Sequence, residues 1–142
     1  MSKPKSTLSA AGKGFKKAKA KSVSYWKKKA DAIFSEYIRR RDKGRCYTCP
    51  VRKDWKQMQN GHFNSRSRNA TRYDERNCHC QGVECNVFKS GNMVVYAIRL
   101  QEQYGPNVLV ELHREGNKIK QWTVIELQKL VETYKEKVAK LN

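Results

Sequence analysis

Acidic side chains are scarce in this sequence: 13 Asp and Glu stand against 31 Lys and Arg, a formal net charge of +18 over 142 residues. The first acidic residue is Asp31, and ten lysines precede it. Such an imbalance argues against polycationic partners and points to a polyanion, because each phosphate neutralised by Lys or Arg releases condensed counterions. Apolar content is also low, at 38% of residues with a mean hydropathy of -0.90. That is enough for a thin core, one that a metal staple would help. No apolar run approaches the roughly 18 residues of a membrane helix, and the start of the chain has no apolar segment of a secretory signal. The expectation is a cytoplasmic protein without a membrane partner. Internal repeats are absent. Five cysteines cannot close a disulfide framework in pairs. In a reducing compartment, clustered thiols are metal ligands or catalytic groups before they are disulfides.

The length is that of one domain preceded by an arm. Residues 1–21, rich in Lys, Ser, Ala and Gly, read as a disordered basic arm; residues 22–142 read as the folded part. Ser24 is placed to cap a helix running to about Asp42. Trp26, Ala30, Ile33, Phe34, Tyr37 and Ile38 form its apolar stripe, and Gly44 stops it. Residues 45–63 suit a short hairpin opened by Cys46–Cys49, with Gln57 to Phe63 as its second strand. Residues 64–76 read as an arginine-rich loop. A helix starting near Asn86 is bent or interrupted at Lys89-Ser90-Gly91-Asn92, continues through Met93, Tyr96, Ala97, Leu100 and Tyr104, and stops at Gly105-Pro106. A short helix follows over 107–113. Thr123 and Glu126 then form a capping box, with Trp122 and Leu127 as a staple. Leu127, Leu130, Val131, Tyr134, Val138 and Leu141 make an apolar edge that suits either the first helix or a second copy of the chain in a homodimer.

Cys46-x-x-Cys49 has the spacing at which a tight turn aims two thiolates at one ion. Cys78, Cys80 and Cys85 follow about thirty residues on. A soft, tetrahedral, four-thiolate site suits Zn²⁺. The preferred set is Cys46, Cys49, Cys80 and Cys85, with His79 or Cys78 as substitutes for Cys80. Four protein ligands leave no open position, so such a zinc is structural. His62, on the expected strand, has the imidazole pKa of a general base at neutral pH. Asn86 offers an amide oxygen to a hard divalent cation, or a simple helix cap. Asn77 suits a loop-holding or turn role. Arg66, Arg68, Arg72, Arg76 and Lys89 are the candidate nucleic-acid contacts.

The order Cys-x-x-Cys, His62, Asn77, Cys85-Asn86-x-x-Lys89 resembles the HNH, or ββα-metal, endonuclease superfamily. That likeness implies His62 as base, Asn77 as the middle residue, and Asn86 on a catalytic Mg²⁺ or Mn²⁺. Over residues 22–142 the chain is more closely similar to the NinG/Rap family of lambdoid phage recombination endonucleases. The resemblance rests on Ser24-Tyr25-Trp26, the Cys46 knuckle, Gly61-His62-Phe63, Arg72-Tyr73-Asp74-Glu75-Arg76-Asn77, His79, Cys85-Asn86, Lys89-Ser90-Gly91-Asn92 and Trp122-Thr123. It implies an α+β fold: a small zinc-stapled ββα-metal core flanked by N- and C-terminal helices. It also implies a metal-dependent endonuclease acting on branched DNA such as Holliday junctions and D-loops, working in a phage-infected bacterial cell beside phage or host recombination proteins. Arg66 is then the first choice to offset charge on the phosphate. Two departures bear on the site. Gly82 stands where the family usually has a cysteine, and Gly61 stands where many superfamily members carry Asp or His. The second ligand of the catalytic metal is therefore open, with His79 or His62 itself as candidates. The competing reading is a non-enzymatic zinc-ribbon that binds nucleic acid.

Overall fold

The computed structural model describes residues 20–141. The expected basic arm, apart from Ala20 and Lys21, lies outside the described residues. In chain order the elements are α1 (Val23–Arg41), β1 (Gln59–His62), β2 (Cys78–Gln81), a single π-helical turn (Glu84–Phe88), α2 (Met93–Tyr104), α3 (Val108–Gly116) and α4 (Val124–Ala139), with 3-10 turns at Trp55–Gln57 and Asn69–Thr71. The chain is thus an α+β protein. No helix among the described residues is long and apolar enough to cross a membrane.

Helix α1 starts two residues earlier than the sequence suggests. Its cap is Ser22, whose hydroxyl accepts from the Tyr25 N–H at 3.1 Å, rather than Ser24. Both serines precede the same apolar stripe, and the local pattern does not separate them. Ala30, Phe34 and Ile38, four apart, form its buried line. The helix ends as expected at Gly44, where φ is +70° and a Cβ would fall 1.9 Å from the Lys53 carbonyl oxygen, a place only glycine can take. In α4 the capping box is complete: Glu126 N–H to Thr123 Oγ1, and Thr123 N–H to Glu126 Oε1 at 3.0 Å.

The apolar edge of α4 packs on α1, not on another chain. Leu127, Val131 and Tyr134 meet Ala30, Phe34 and Ile38, together with Tyr73 and Cys78. Each large apolar side chain buried there contributes about 1.5–3 kcal/mol. Glu75 ties this core to the loop before β2, accepting from Tyr134 Oη at 2.8 Å and Lys137 Nζ at 2.6 Å.

The hairpin differs from expectation. Residues 45–63 contain only an isolated bridge, Arg45 with Arg52. Strand β1 pairs instead with β2, antiparallel, Asn60 opposite Cys80, Gly61 opposite His79 and His62 opposite Cys78. Paired residues share a face, so His62 and Asn60 lie on the side of Cys78 and Cys80. That is the side where α1 and α4 pack. His79 lies on the other side, against Tyr96 of α2, and there Tyr96, Leu100, Val108 and Leu112 form a second core. Strand β2 escaped notice because all four of its residues are buried, so it has no alternating pattern to read. After the π turn, Ser90, Gly91 and Asn92 all have positive φ. This is the interruption expected there, and it turns the chain into α2.

Candidate active site and metal centre

On the α1 face of the sheet lies a cavity of about 560 Å³, lined by Asp31, Gln59, Asn60, His62, Arg66, Tyr73 and Asn86 with Phe34, Ser35 and Met58. His62 Nε2 stands 3.1 Å from the Arg72 carbonyl oxygen. A carbonyl can only accept, so Nε2 carries the proton and Nδ1 is left as the basic nitrogen. Burial lowers the His62 pKa below 6.5. The Arg72 carbonyl opposes this, while the charges of Arg66 and Arg72 add to it. The ring is therefore neutral and basic at pH 7.

Asn86 sits on the π turn and donates from Nδ2 to Gln59 Oε1 at 2.7 Å. Its amide is thereby oriented, with Oδ1 left as the free acceptor. Asn60 Oδ1 is buried with no hydrogen-bond partner. Asp31 reaches the cavity from α1. Its carboxylate takes Arg72 Nε at 2.9 Å, Arg72 Nη2 at 2.5 Å and Tyr73 Oη at 2.8 Å. Burial opposes its ionisation, but the hydrogen bonds from Arg72 and Tyr73 outweigh burial and hold its pKa below the usual value. Asp31, Gln59 and Asn60 were missed in the sequence. Asp31 lies on the polar side of a helix and meets Arg72 41 residues away, a contact that no local spacing announces. Asn60 two residues before His62 on one strand was the available signal.

Other candidates are placed elsewhere. Asn77 does not line the cavity. Fully buried, it accepts from Asn64 N–H at 2.7 Å and donates to the carbonyls of Asn64 at 3.0 Å and Thr71 at 3.2 Å. It clamps the loop between the strands and acts as a positioning residue. His79 is no metal ligand for this site. Its Nδ1 pairs with Tyr96 Oη and its Nε2 with Tyr104 Oη, both at 3.1 Å, and Tyr47 stacks on its ring. Position 61 cannot supply a ligand either. A Cβ there would lie 1.9 Å from Gln81 Oε1, and the Gln81 side chain is pinned by Thr48 Oγ1 and the Gly91 carbonyl, each at 2.9 Å.

The arginines divide. Arg72 is spent on Asp31, and Arg76 pairs with Glu111 at 2.8 Å, so both departed from the expected role of nucleic-acid contacts. Arg68 braces α3 through Asn117 Oδ1 at 2.6 Å. Arg66 and Lys89 are exposed, and Arg66 borders the cavity.

The metal centre lies at the neighbouring Cys46 knuckle. The sulfurs of Cys46, Cys49 and Cys85 all lie within 4.8 Å of one another. Sulfurs around tetrahedral zinc stand ~3.8 Å apart, so a small contraction would seat an ion. Burial raises the Cys46 pKa, but the backbone N–H groups of Gly82 and Thr48 bring it below its usual value. Burial, with the Cys46 and Cys85 thiols beside it, pushes Cys49 up to about 11. The three cannot ionise together without a cation between them. Cys80, the expected fourth ligand, falls outside this cluster. It packs against Cys46, Met58 and Cys85, while its N–H is held by Asp42 Oδ2 at 2.8 Å. Its substitutes do not join either: Cys78 is in the α1–α4 core, and His79 is held by tyrosines. Three of four expected donors thus fit a structural metal.

The fold and site define a small α+β protein with a two-stranded sheet, a cysteine cluster suited to a metal, and a polar histidine cavity. The chain belongs to the NinG family: the family described as Bacteriophage Lambda NinG protein matches residues 5–142. Similar relatives are the ninG proteins of Escherichia phage 933W, 34% identical over 129 residues, of Salmonella phage P22, 34% identical over 129 residues, and of Escherichia phage lambda, 32% identical over 129 residues. Each alignment covers 89% of this chain, and the chain spans 62–63% of the length of these relatives. No solved structure matches it.

Proposed function

We propose that this protein is a metal-dependent endonuclease that hydrolyses phosphodiesters in branched DNA, of the HNH-like kind. The observation that carries the reading is the His62 ring. Its Nε2–H is committed to a backbone carbonyl, and its basic Nδ1 belongs to a cavity shared with Asn86, Asn60, Asp31 and Arg66. His62 Nδ1 accepts a proton from the attacking water, and the Arg72 carbonyl steadies the resulting imidazolium through Nε2–H. Arg66 lies beside the same cavity as an exposed cation for the scissile phosphate. The residues suited to hold Mg²⁺ or Mn²⁺ are the hard oxygen donors Asn86 and Asn60, with Asp31 behind them. A divalent cation bound there supplies Lewis-acid polarisation of the phosphate and stabilises the departing 3′ oxygen. The net charge of +18 supports a polyanionic substrate. Preference for four-way junctions and D-loops rests on the family likeness.

The test is cleavage of a labelled four-way junction and a matched linear duplex, in Mg²⁺ and in EDTA, beside His62→Ala. Metal-dependent cutting of the junction, lost in His62→Ala, is the expected result. Tight binding without cutting in Mg²⁺ or Mn²⁺ would replace this reading with a non-enzymatic zinc-bearing nucleic-acid binder, which the cysteine cluster and the charge also favour. Equal cutting of the duplex would retain the nuclease and discard branch selectivity.

A further inference from the structure

The cysteine cluster is one donor short, and the gap has a location. Gly82 stands three residues before Cys85, the spacing of Cys46 to Cys49, and its N–H faces the Cys46 sulfur. A Cβ built on Gly82 would meet only Met58 Cε at 3.8 Å, Val51 Cγ1 at 3.9 Å and Met58 Sδ at 4.0 Å, all ordinary contacts, and its backbone φ is not left-handed. The position where a second knuckle would present its first ligand is therefore a space beside the three sulfurs, flanked by the exposed Val51 and Val83.

Among the described residues, none of the neighbouring groups fills it. Cys80 is fixed on both sides of its backbone, N–H to Asp42 Oδ2 at 2.8 Å and carbonyl to Tyr47 N–H at 2.8 Å, so its thiol cannot swing into the cluster without breaking both. The Gly82 carbonyl already accepts from Asn86 N–H at 2.9 Å. Met58 offers only a neutral thioether. Meanwhile the three thiols are dressed for a metal: Thr48 and Gly82 N–H groups on Cys46, the Val51 N–H on Cys49, and Asn92 Nδ2 on Cys85 Sγ at 3.8 Å.

We propose that Cys46, Cys49 and Cys85 hold a thiolate-preferring divalent cation of the zinc class through three protein sulfurs, with the fourth position, beside Gly82, open to an exchangeable small thiol. In the absence of thiol that position takes water. A thiol entering it displaces the water and releases its proton to solvent, with no electron transferred. With three thiolates the centre carries one negative charge, and with the added thiolate two. The site is then closed on three sides and exchangeable on one, unlike a structural zinc filled entirely by protein.

The test uses the full chain, reduced, freed of thiol and loaded with Co²⁺, read by its thiolate-to-cobalt absorption. The expected wild-type spectrum is that of three thiolates, rising by about one third as 2-mercaptoethanol is added, since three sulfurs become four. Gly82→Cys shows the higher intensity without added thiol and no further response. Gly82→Ala and Cys80→Ser behave as the wild type. A wild-type spectrum insensitive to thiol and weakened in Cys80→Ser would make Cys80 the fourth ligand and overturn the proposal. A response abolished or a spectrum changed in Met58→Leu would do the same in favour of the thioether. Folded wild-type protein that binds no Co²⁺ would remove the site altogether. None of these readouts involves DNA cleavage.

Discussion

His62 and His79 stand in the same two-stranded sheet, one residue apart in register, His62 opposite Cys78 and His79 opposite Gly61. Their surroundings differ in every respect that matters to chemistry. His79 has both nitrogens engaged. Tyr96 Oη donates to the Gly61 carbonyl at 2.8 Å, so it accepts from His79 Nδ1–H, and Tyr104 Oη donates to Nε2. Burial, with the charge of Arg41, lowers its pKa to about 3. His62 spends one nitrogen on a carbonyl and keeps the other. The first ring is built into the packing, and the second is held by the packing and left with a valence to use. A buried histidine becomes a reagent only when its neighbours satisfy half of it.

The largest expected effect separates the two. His62→Ala should lower cleavage ~10²–10⁴-fold, the usual worth of a general base, with the thermal melt nearly unchanged. An unchanged cleavage rate would remove His62 from the base role. His79→Ala should do the reverse, destabilising the fold by about 2–4 kcal/mol in urea titrations, because it leaves a void and two tyrosine hydroxyls short of a partner. A melt identical to wild type would contradict the packed assignment.

The two rings also predict two pH dependences of common sign. The folded pKa of His79 is depressed, so the unfolded chain binds the proton first. The stability it provides is complete above its ordinary 6.5 and is lost progressively as pH falls toward about 3. Urea titrations at several pH values should show this slope, flattened in His79→Phe. His62 must be neutral to act, and its pKa lies below 6.5. The acid limb of the cleavage profile should therefore fall below pH 6.5, and a limb above it would argue against His62.

What could be read in the sequence, and what could not, follows the range of the interactions. The α1 stripe, the Thr123–Glu126 box and the stop at Gly44 were legible because each is a local pattern with a local cause. The Cys46–Cys49 pair was legible for the same reason, and so was His62 as a candidate. The partner of β1 was not, since Cys78–Gln81 is buried on both faces. Nor was Asp31, whose role depends on a distant arginine. The same arginine explains the misreading of the loop: charge counting cannot tell a guanidinium facing solvent from one already paired.

The smallest effects test that division. Arg72→Ala should destabilise the fold by about 1–3 kcal/mol, by stranding a partly buried Asp31 carboxylate. Arg66→Ala should leave the melt in place and lower cleavage by roughly tenfold, about 1.4 kcal/mol of barrier. If the two exchanged these effects, the assignment of Arg72 to structure and Arg66 to substrate would be reversed.

The Asn77 clamp has a consequence for how such a molecule diversifies. One buried amide pins the loop between the strands at Asn64 and Thr71, and the exposed tip, Ser65 to Arg68, lies between those pins. The stem that seats His62 is thereby insulated from changes at the tip. Mutation can explore charge and shape at the rim of the cavity while the ring beneath keeps its orientation. Tips exchanged between relatives should carry substrate preference with them and leave the hairpin intact. Selection would then find new targets in four residues without rebuilding the chemistry.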